Sequence, residues 1–257
     1  MPSVSVVMPA YNSEKTIAAA VSSVLAQTRE DYELLIIDDC SVDGTYAACQ
    51  ALAASDGRIR LLRNETNKGV AYTRNRGVEE ATGQWIAFLD SDDMWQAEKL
   101  ERQMRFIEES DAAISYTATA YIDKDGRAFP YILHAEAKLT FKALLCRNLM
   151  SCSSVIVRRD LIRQSAFIDG PLHEDYVSWL KILRETGAAY GLDEPLLVYR
   201  LSGESRSGNR VRSGLMAYRA YRAVGYGRIL STLFTVRYAH FSIKKRVQLH
   251  MQGKGRS

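Results

Sequence analysis

Apolar residues recur along the first 110 positions with two alternating periods, and each change of period marks an element. Val4 to Met8 is a short apolar run closed by Pro9, which predicts a strand. Ile17, Ala20, Val21, Val24 and Leu25 then recur at three- and four-residue spacing, which predicts a helix with one buried face, and Asn12 or Ser13 is placed to cap it. The cycle repeats. Leu34 to Ile37 predicts a second strand, Asp43 and Gly44 open a second helix, Ile59 to Leu62 predicts a third strand, Gly69 to Ala81 a third helix and Trp85 to Leu89 a fourth strand. Alternation at these lengths predicts an α/β fold with a parallel sheet covered on both faces.

Further on the pattern is mixed. Leu100, Met104 and Ile107 share a helical face, and Ala113 to Ile122 predicts a strand running into a turn at Asp123 to Gly126. Ser153 to Val157 reads as a strand, Glu174 to Thr186 as a helix with Tyr176, Val177, Leu180 and Leu183 inward, and Pro195 to Leu201 as the last strand. Phe129 to Leu139 and Arg147 to Cys152 read as loops. No linker rich in Gly, Pro or Ser interrupts the chain, so one domain is expected over residues 1–201, followed by a helical extension over 202–257.

Charge sets that extension apart. From Arg200 onward 13 Lys or Arg face a single acid, Glu204, a balance of +12, whereas residues 1–199 carry 21 basic against 29 acidic residues, or −8. Such a split predicts an anionic partner for the extension. Leu230, Leu233, Phe234, Tyr238 and Phe241 fall on one helical stripe, interrupted by Arg237, and Lys244, Lys245 and Arg246 follow. The stripe suits a helix lying on an anionic membrane or one packing on the domain, and the two readings are compatible. Without interleaved exposed aromatics it does not suit nucleic acid.

Cys40, Cys49, Cys146 and Cys152 show no metal-binding spacing and lie in or beside apolar segments, which suggests a reducing, cytoplasmic compartment. Met1 to Val7 lacks the features of a signal peptide, and no window has the roughly 18 consecutive apolar residues of a membrane-spanning helix. The expected location is the cytoplasm, with peripheral contact at the inner face of the plasma membrane.

The candidate chemistry lies where the fourth apolar run stops at Asp90, Ser91, Asp92 and Asp93. Three carboxylates at the end of a buried strand need a cation to compensate them, and one or two carboxylates suit a hard divalent ion whose other positions go to phosphate oxygens and water. Asp38 and Asp39 end the second strand in the same way. There is no Gly-x-Gly-x-x-Gly after the first strand and no Gly-Lys-Ser loop, which argues against dinucleotide oxidoreductases and P-loop enzymes. The first turn instead reads Pro9, Ala10, Tyr11, Asn12, an aromatic that can stack on a base near a carboxylate that can accept an imide hydrogen.

These segments, Pro9 to Asn12, Asp38 to Thr45 and Asp90 to Asp93, resemble the family 2 glycosyltransferases of the GT-A fold. The similarity extends to Asn67, Gly69, Arg74 and Asn75, to Glu174 and Asp175, and to Tyr199 and Arg200 with Ser205 and Ser207, over about residues 3–205. It implies a single Rossmann-like mixed sheet, with a nucleotide-binding half at 1–110 and an acceptor half at 111–201. The implied reaction is an inverting transfer from a nucleoside diphosphate sugar, most often a uridine one, to a saccharide or lipid-linked saccharide, as in capsule or O-antigen assembly. Pro9, Ala10, Tyr11 and Glu14 would bind the donor, Asp39 the uracil imide and Asp90 the ribose, with Ser91 and Arg74 beside them. Asp92 would bind Mn2+ or Mg2+, Asp93 would be structural, as a cap of the next helix, and Asp175 would be the base.

Read as residues alone, Glu174 is a rival to Asp175, because adjacent helix positions point about a quarter-turn apart. At the start of a helix Asp175 is expected to stay ionised. His173 is a weaker candidate metal ligand and Lys68 a further candidate near the donor. A sugar nucleotidylyltransferase would carry a Gly-rich loop near the first strand, which Pro9 to Asn12 is not. A binding subunit without turnover is opposed by Asp39, Asp90, Asp92 and Asp175 occurring together.

Overall fold

The computed structural model describes residues 2–201 and 210–253. β1 (Val4–Ala10) leads through α1 (Ile17–Leu25) to β2 (Tyr32–Asp38), and both strands are buried along their whole length, as strands covered on two faces must be. α2 (Thr45–Ser55), β3 (Ile59–Arg63), α3 (Val70–Glu80) and β4 (Trp85–Phe88) complete the predicted alternation. α3 lies close on the sheet because Gly77 has no Cβ; one there would collide with Val7 and Ile37.

The second half runs β5 (Met94–Trp95), α4 (Lys99–Ser110), β6 (Ile114–Ile122), β7 (Ala128–Leu133), β8 (Lys138–Thr140) and α5 (Phe141–Leu144). A 3-10 turn at Cys152–Ser154 leads to β9 (Ile156–Arg158), α6 (Arg159–Gln164), α7 (Glu174–Thr186), β10 (Ala188–Arg200), α8 (Arg210–Ala223) and α9 (Arg228–Gly253). The strands form one mixed sheet in the order β3-β2-β1-β4-β9-β6-β10-β5, with β7 beside β6 and β8 beside β10. β1 to β4 are parallel, and β9 is antiparallel to both β4 and β6, so β6 and its parallel neighbour β10 run the same way as β4. The carboxyl ends of β1, β2, β4 and β10 therefore meet at one edge, where an open α/β sheet binds its ligands.

Several expectations need correction. Phe129 to Leu139 is not a loop: it holds β7 and β8, which were hidden because β7 alternates between exposed and half-buried positions. The strand expected at Ser153 to Val157 is confined to β9, since Ser153 and Ser154 belong to the 3-10 turn. The last strand starts at Ala188, and a register shift between Leu192 and Leu197 absorbs the Asp193-Glu194-Pro195 segment that made it look shorter. Neither Asn12 nor Ser13 caps α1 with its side chain. Ser13 instead offers its carbonyl to the amides of Thr16 and Ile17.

The extension packs on the domain. α8 places Ala217, Ala220 and Tyr221 in the core, and the Tyr221 hydroxyl donates to the Leu145 carbonyl at 2.7 Å and pairs with that of Tyr176 at 3.0 Å. The predicted stripe of α9 divides: Phe234, Tyr238 and Phe241 pack inward, whereas Leu230 and Leu233 are exposed. Leu233 belongs to a second stripe with Ile229, Val236, Ile243 and Val247, on the opposite side of the helix and open to solvent.

Candidate active site

The first wall of the site is a pair of loops laced together. Pro9 and Ala10 are buried at the end of β1, and Tyr11 projects beyond them, 48% exposed. Asn12 turns the chain in the left-handed region at φ 48°, its amide donating to the Ser41 hydroxyl and its side-chain oxygen accepting from the Val42 amide, both at 3.0 Å. Glu14 lies outside this turn, and its carboxylate accepts the Gly44 amide at 2.8 Å, just before α2. Asp38 is fully buried and ion-paired with Arg63.

Asp39 braces the loop that follows β3. Its Oδ1 accepts from Asn64 Nδ2 at 2.7 Å and the Lys68 amide at 2.9 Å, and its Oδ2 accepts from the Gly69 amide at 2.8 Å. A carboxylate offers about four acceptor positions, so one remains on Oδ2. Lys68 thus meets Asp39 through its backbone while its side chain is exposed.

Beyond β4 the three aspartates have different surroundings. Asp90 pairs with Arg74 at 2.5 Å, and its amide donates to the Ser153 hydroxyl. Ser91 is buried between its neighbours. Burial and the charge of Asp90 push the Asp92 carboxyl up to about 6, with Arg200 and Arg74 opposing the shift. Asp93 caps no helix, contrary to expectation. Almost fully buried, it accepts the Ser153 hydroxyl at 2.7 Å and the Arg200 amide at 3.0 Å, fastening the end of β10 to the acidic turn.

Arg74 joins the two halves of the chain. Its guanidinium, 3% exposed, donates to Asp90 and, at 2.9 Å, to Glu174, 100 residues away. Arg74 thus faces internal carboxylates rather than an open pocket, and it reaches any donor through Asp90. Glu174 is buried and neutralised by this pair. Asp175 is half-buried, with its Oδ1 accepting the Tyr176 amide at 2.7 Å. Its proton affinity departs from expectation: burial and the neighbouring Glu174 charge raise it, and Arg74 and the helix amide only partly oppose them.

His173 turns away from the acids. Its Nε2 lies 3.3 Å from the Ser213 carbonyl and hydroxyl, and its ring is 5.9 Å from that of Tyr238. Among the described residues no group of three or more His, Cys, Asp or Glu side chains could hold a metal ion unaided. Asp92 still fits a divalent ion, because a hard cation needs only one or two protein carboxylates when phosphates fill its other positions, and Asp92 forms no ion pair among the described residues while Asp90 lies close enough to raise its proton affinity. Ser205 and Ser207 lie outside the described residues. Arg200, noted in the sequence without a role, lies against the acidic turn, with Nε donating to the Asp92 carbonyl at 3.1 Å. Its place as the last residue of a strand ending at the acidic edge was the available signal.

A single mixed sheet whose carboxyl edge gathers a turn with an exposed tyrosine, an acidic turn and the carboxylates that open a helix is the GT-A architecture. The chain belongs to glycosyl transferase family 2, whose family model matches residues 5–169. It is 39% identical over 212 residues, 81% of each chain, to the Escherichia coli UDP-Glc:alpha-D-GlcNAc-diphosphoundecaprenol beta-1,3-glucosyltransferase WfgD. It is 35% identical over 247 residues to TuaG of Bacillus subtilis (strain 168), a glycosyltransferase provisionally named for teichuronic acid biosynthesis, covering 96% of this chain and 98% of that one. The fold also matches S. aureus TarS residues 1–349 in complex with UDP-GlcNAc, with a TM-score of 0.73 at 21% identity, over 99% of this chain and 77% of that one.

Proposed function

We propose that this enzyme transfers a sugar, with inversion, from a UDP-sugar to a lipid-linked saccharide during assembly of a bacterial cell-surface polysaccharide of the O-antigen or capsule kind. The observation that carries the reading is the Arg74 bridge, which holds the acidic turn after β4 and the start of α7 in one cluster. Tyr11 stacks on the base and the remaining lone pair of Asp39 accepts its imide hydrogen, while Asp90 faces the ribose. Asp175 takes the proton of the acceptor hydroxyl as that oxygen attacks the anomeric carbon from the side opposite the departing diphosphate. A proton affinity raised from the ordinary aspartate value by burial and the Glu174 charge makes Asp175 a better base than a surface aspartate. A divalent ion, Mn2+ or Mg2+, held by Asp92 would stabilise the charge of the diphosphate.

The membrane contact belongs to the outer stripe of α9. That helix contains no acid, and Arg228, Arg237 and Lys244 flank its exposed Ile229, Leu233, Val236, Ile243 and Val247. Among the described residues no helix is long and apolar enough to cross a membrane. The enzyme works at the cytoplasmic face of the membrane, in keeping with four free thiols.

A donor panel assayed by nucleoside diphosphate release, with and without Mn2+ or Mg2+, tests the reaction. UDP-sugars should support metal- and acceptor-dependent release; release from no nucleotide sugar would refute it. Asp92→Asn should abolish metal-dependent donor binding and yet stabilise the metal-free protein at pH 8 by up to about 3 kcal/mol. The sign follows from the raised pKa: above about 6 the folded chain holds a charge that the unfolded chain bears more easily, and the penalty fades as pH falls toward 4. Thermal melts of the two proteins between pH 4 and 8 measure it. Liposome sedimentation tests the stripe: Val236→Glu with Ile243→Glu should cut binding to anionic vesicles about tenfold or more. Equal binding would place the contact elsewhere.

A further inference from the structure

A cavity of about 910 Å³ lies between β7 and α9, outside the acidic site. Ala120, Phe129, Ile132, Leu133, Leu149 and Phe241 give it apolar walls, and Arg147 and Lys244 reach it from solvent-accessible positions. Its carboxylate, Glu136, is paired with Arg147 at 2.6 Å, whereas Lys244 forms no ion pair among the described residues. Apolar walls beside an unpaired cation suit an anionic amphiphile.

We infer that this groove binds the lipid diphosphate end of the acceptor, with the first isoprenoid units against Phe129, Ile132 and Phe241 and the diphosphate at Lys244 and Arg147. The inference rests on the sugar-transfer reading above and adds the place where the acceptor's lipid is held. Position supports it. Tyr238 of α9 packs on His173, two residues before Asp175, and Lys244 lies six residues further along the same helix, about 9 Å of rise. The helix that closes the groove therefore also reaches the segment that carries the base. The exposed apolar stripe lies on another face of the same helix and offers an apolar surface to a lipid chain that leaves the groove.

The test uses the full chain and a farnesyl diphosphate carrying a benzophenone. Photolabelling should fall within 129–136 or 238–244, be displaced by undecaprenyl diphosphate but not by UDP, and drop about tenfold in Ile132→Glu and Lys244→Glu. Both residues are exposed and lie outside the acidic site. In turnover assays the same variants should raise KM for a prenyl-diphosphate-linked saccharide about tenfold. KM for the UDP-sugar, and for the same saccharide on a short water-soluble aglycone, should not change. Labelling elsewhere, labelling absent, displacement by UDP, equal displacement by phosphatidylglycerol, or variants that label and turn over as the wild type does would each overturn the assignment. Its failure is distinct from failure of the transfer reading. Nucleotide release to the short-aglycone acceptor without groove labelling refutes the groove alone; groove labelling without release from any nucleotide sugar refutes the transfer alone.

Discussion

Arg74→Met should destabilise the fold by about 3–5 kcal/mol and abolish turnover, because it strands the buried Glu174 carboxylate and frees Asp90. Urea denaturation at pH 7.5 measures the first effect and nucleotide release the second. Arg74→Lys keeps a charge but cannot span both partners as a guanidinium fork does, so its stability should fall between the two. Adding Glu174→Gln to Arg74→Met should recover part of the loss, since the double variant no longer buries an unpaired charge. If Arg74→Met melts with the wild-type protein, the bridge does not hold the halves together.

Asp175→Asn should lower kcat by roughly 10²–10⁴-fold with donor KM nearly unchanged, the pattern of a lost general base. Glu174→Gln should instead show its main effect in stability, because that carboxylate is committed to Arg74. Unchanged turnover in Asp175→Asn would overturn the assignment of the base. The pH profile gives a second reading. Asp175 must be ionised to accept a proton, and burial with Glu174 raises its affinity for one, so activity should fall with decreasing pH at a higher point than an unperturbed aspartate would set. Arg74 opposes that shift. Any Arg74→Lys protein active enough to assay should therefore show the acidic limb moved if the guanidinium sets it.

The first four strands and three helices were legible because their residues repeat at one clean period and sit in a doubly covered sheet. β7 and β8 were not, since an edge strand that is half wet alternates weakly, and β5 is two residues held by pairing with β10. The acidic turn was legible as a site for the opposite reason: it breaks the pattern where folding alone would not. Its internal division was less so. Asp93 looked like a cap in sequence, and only the return of β10 beside it, with the Arg200 amide at 3.0 Å, shows what it holds. The Arg74–Glu174 pair spans 100 positions, a contact no local pattern encodes. In α9 the apolar residues form two stripes, and which of them packs depended on Tyr221 of the preceding helix and on Tyr176, more than 50 positions away in sequence.

The position of β9 also bears on how such an enzyme can diversify. This strand, drawn from the second half of the chain, lies between β4 and β6 and joins β1 to β4 to the rest of the sheet. A chain cut near residue 110 would leave β4 as a raw edge and take Glu174 from Arg74. A second half grafted from a relative must therefore bring both a counterpart of β9 that pairs with β4 and a carboxylate within reach of Arg74.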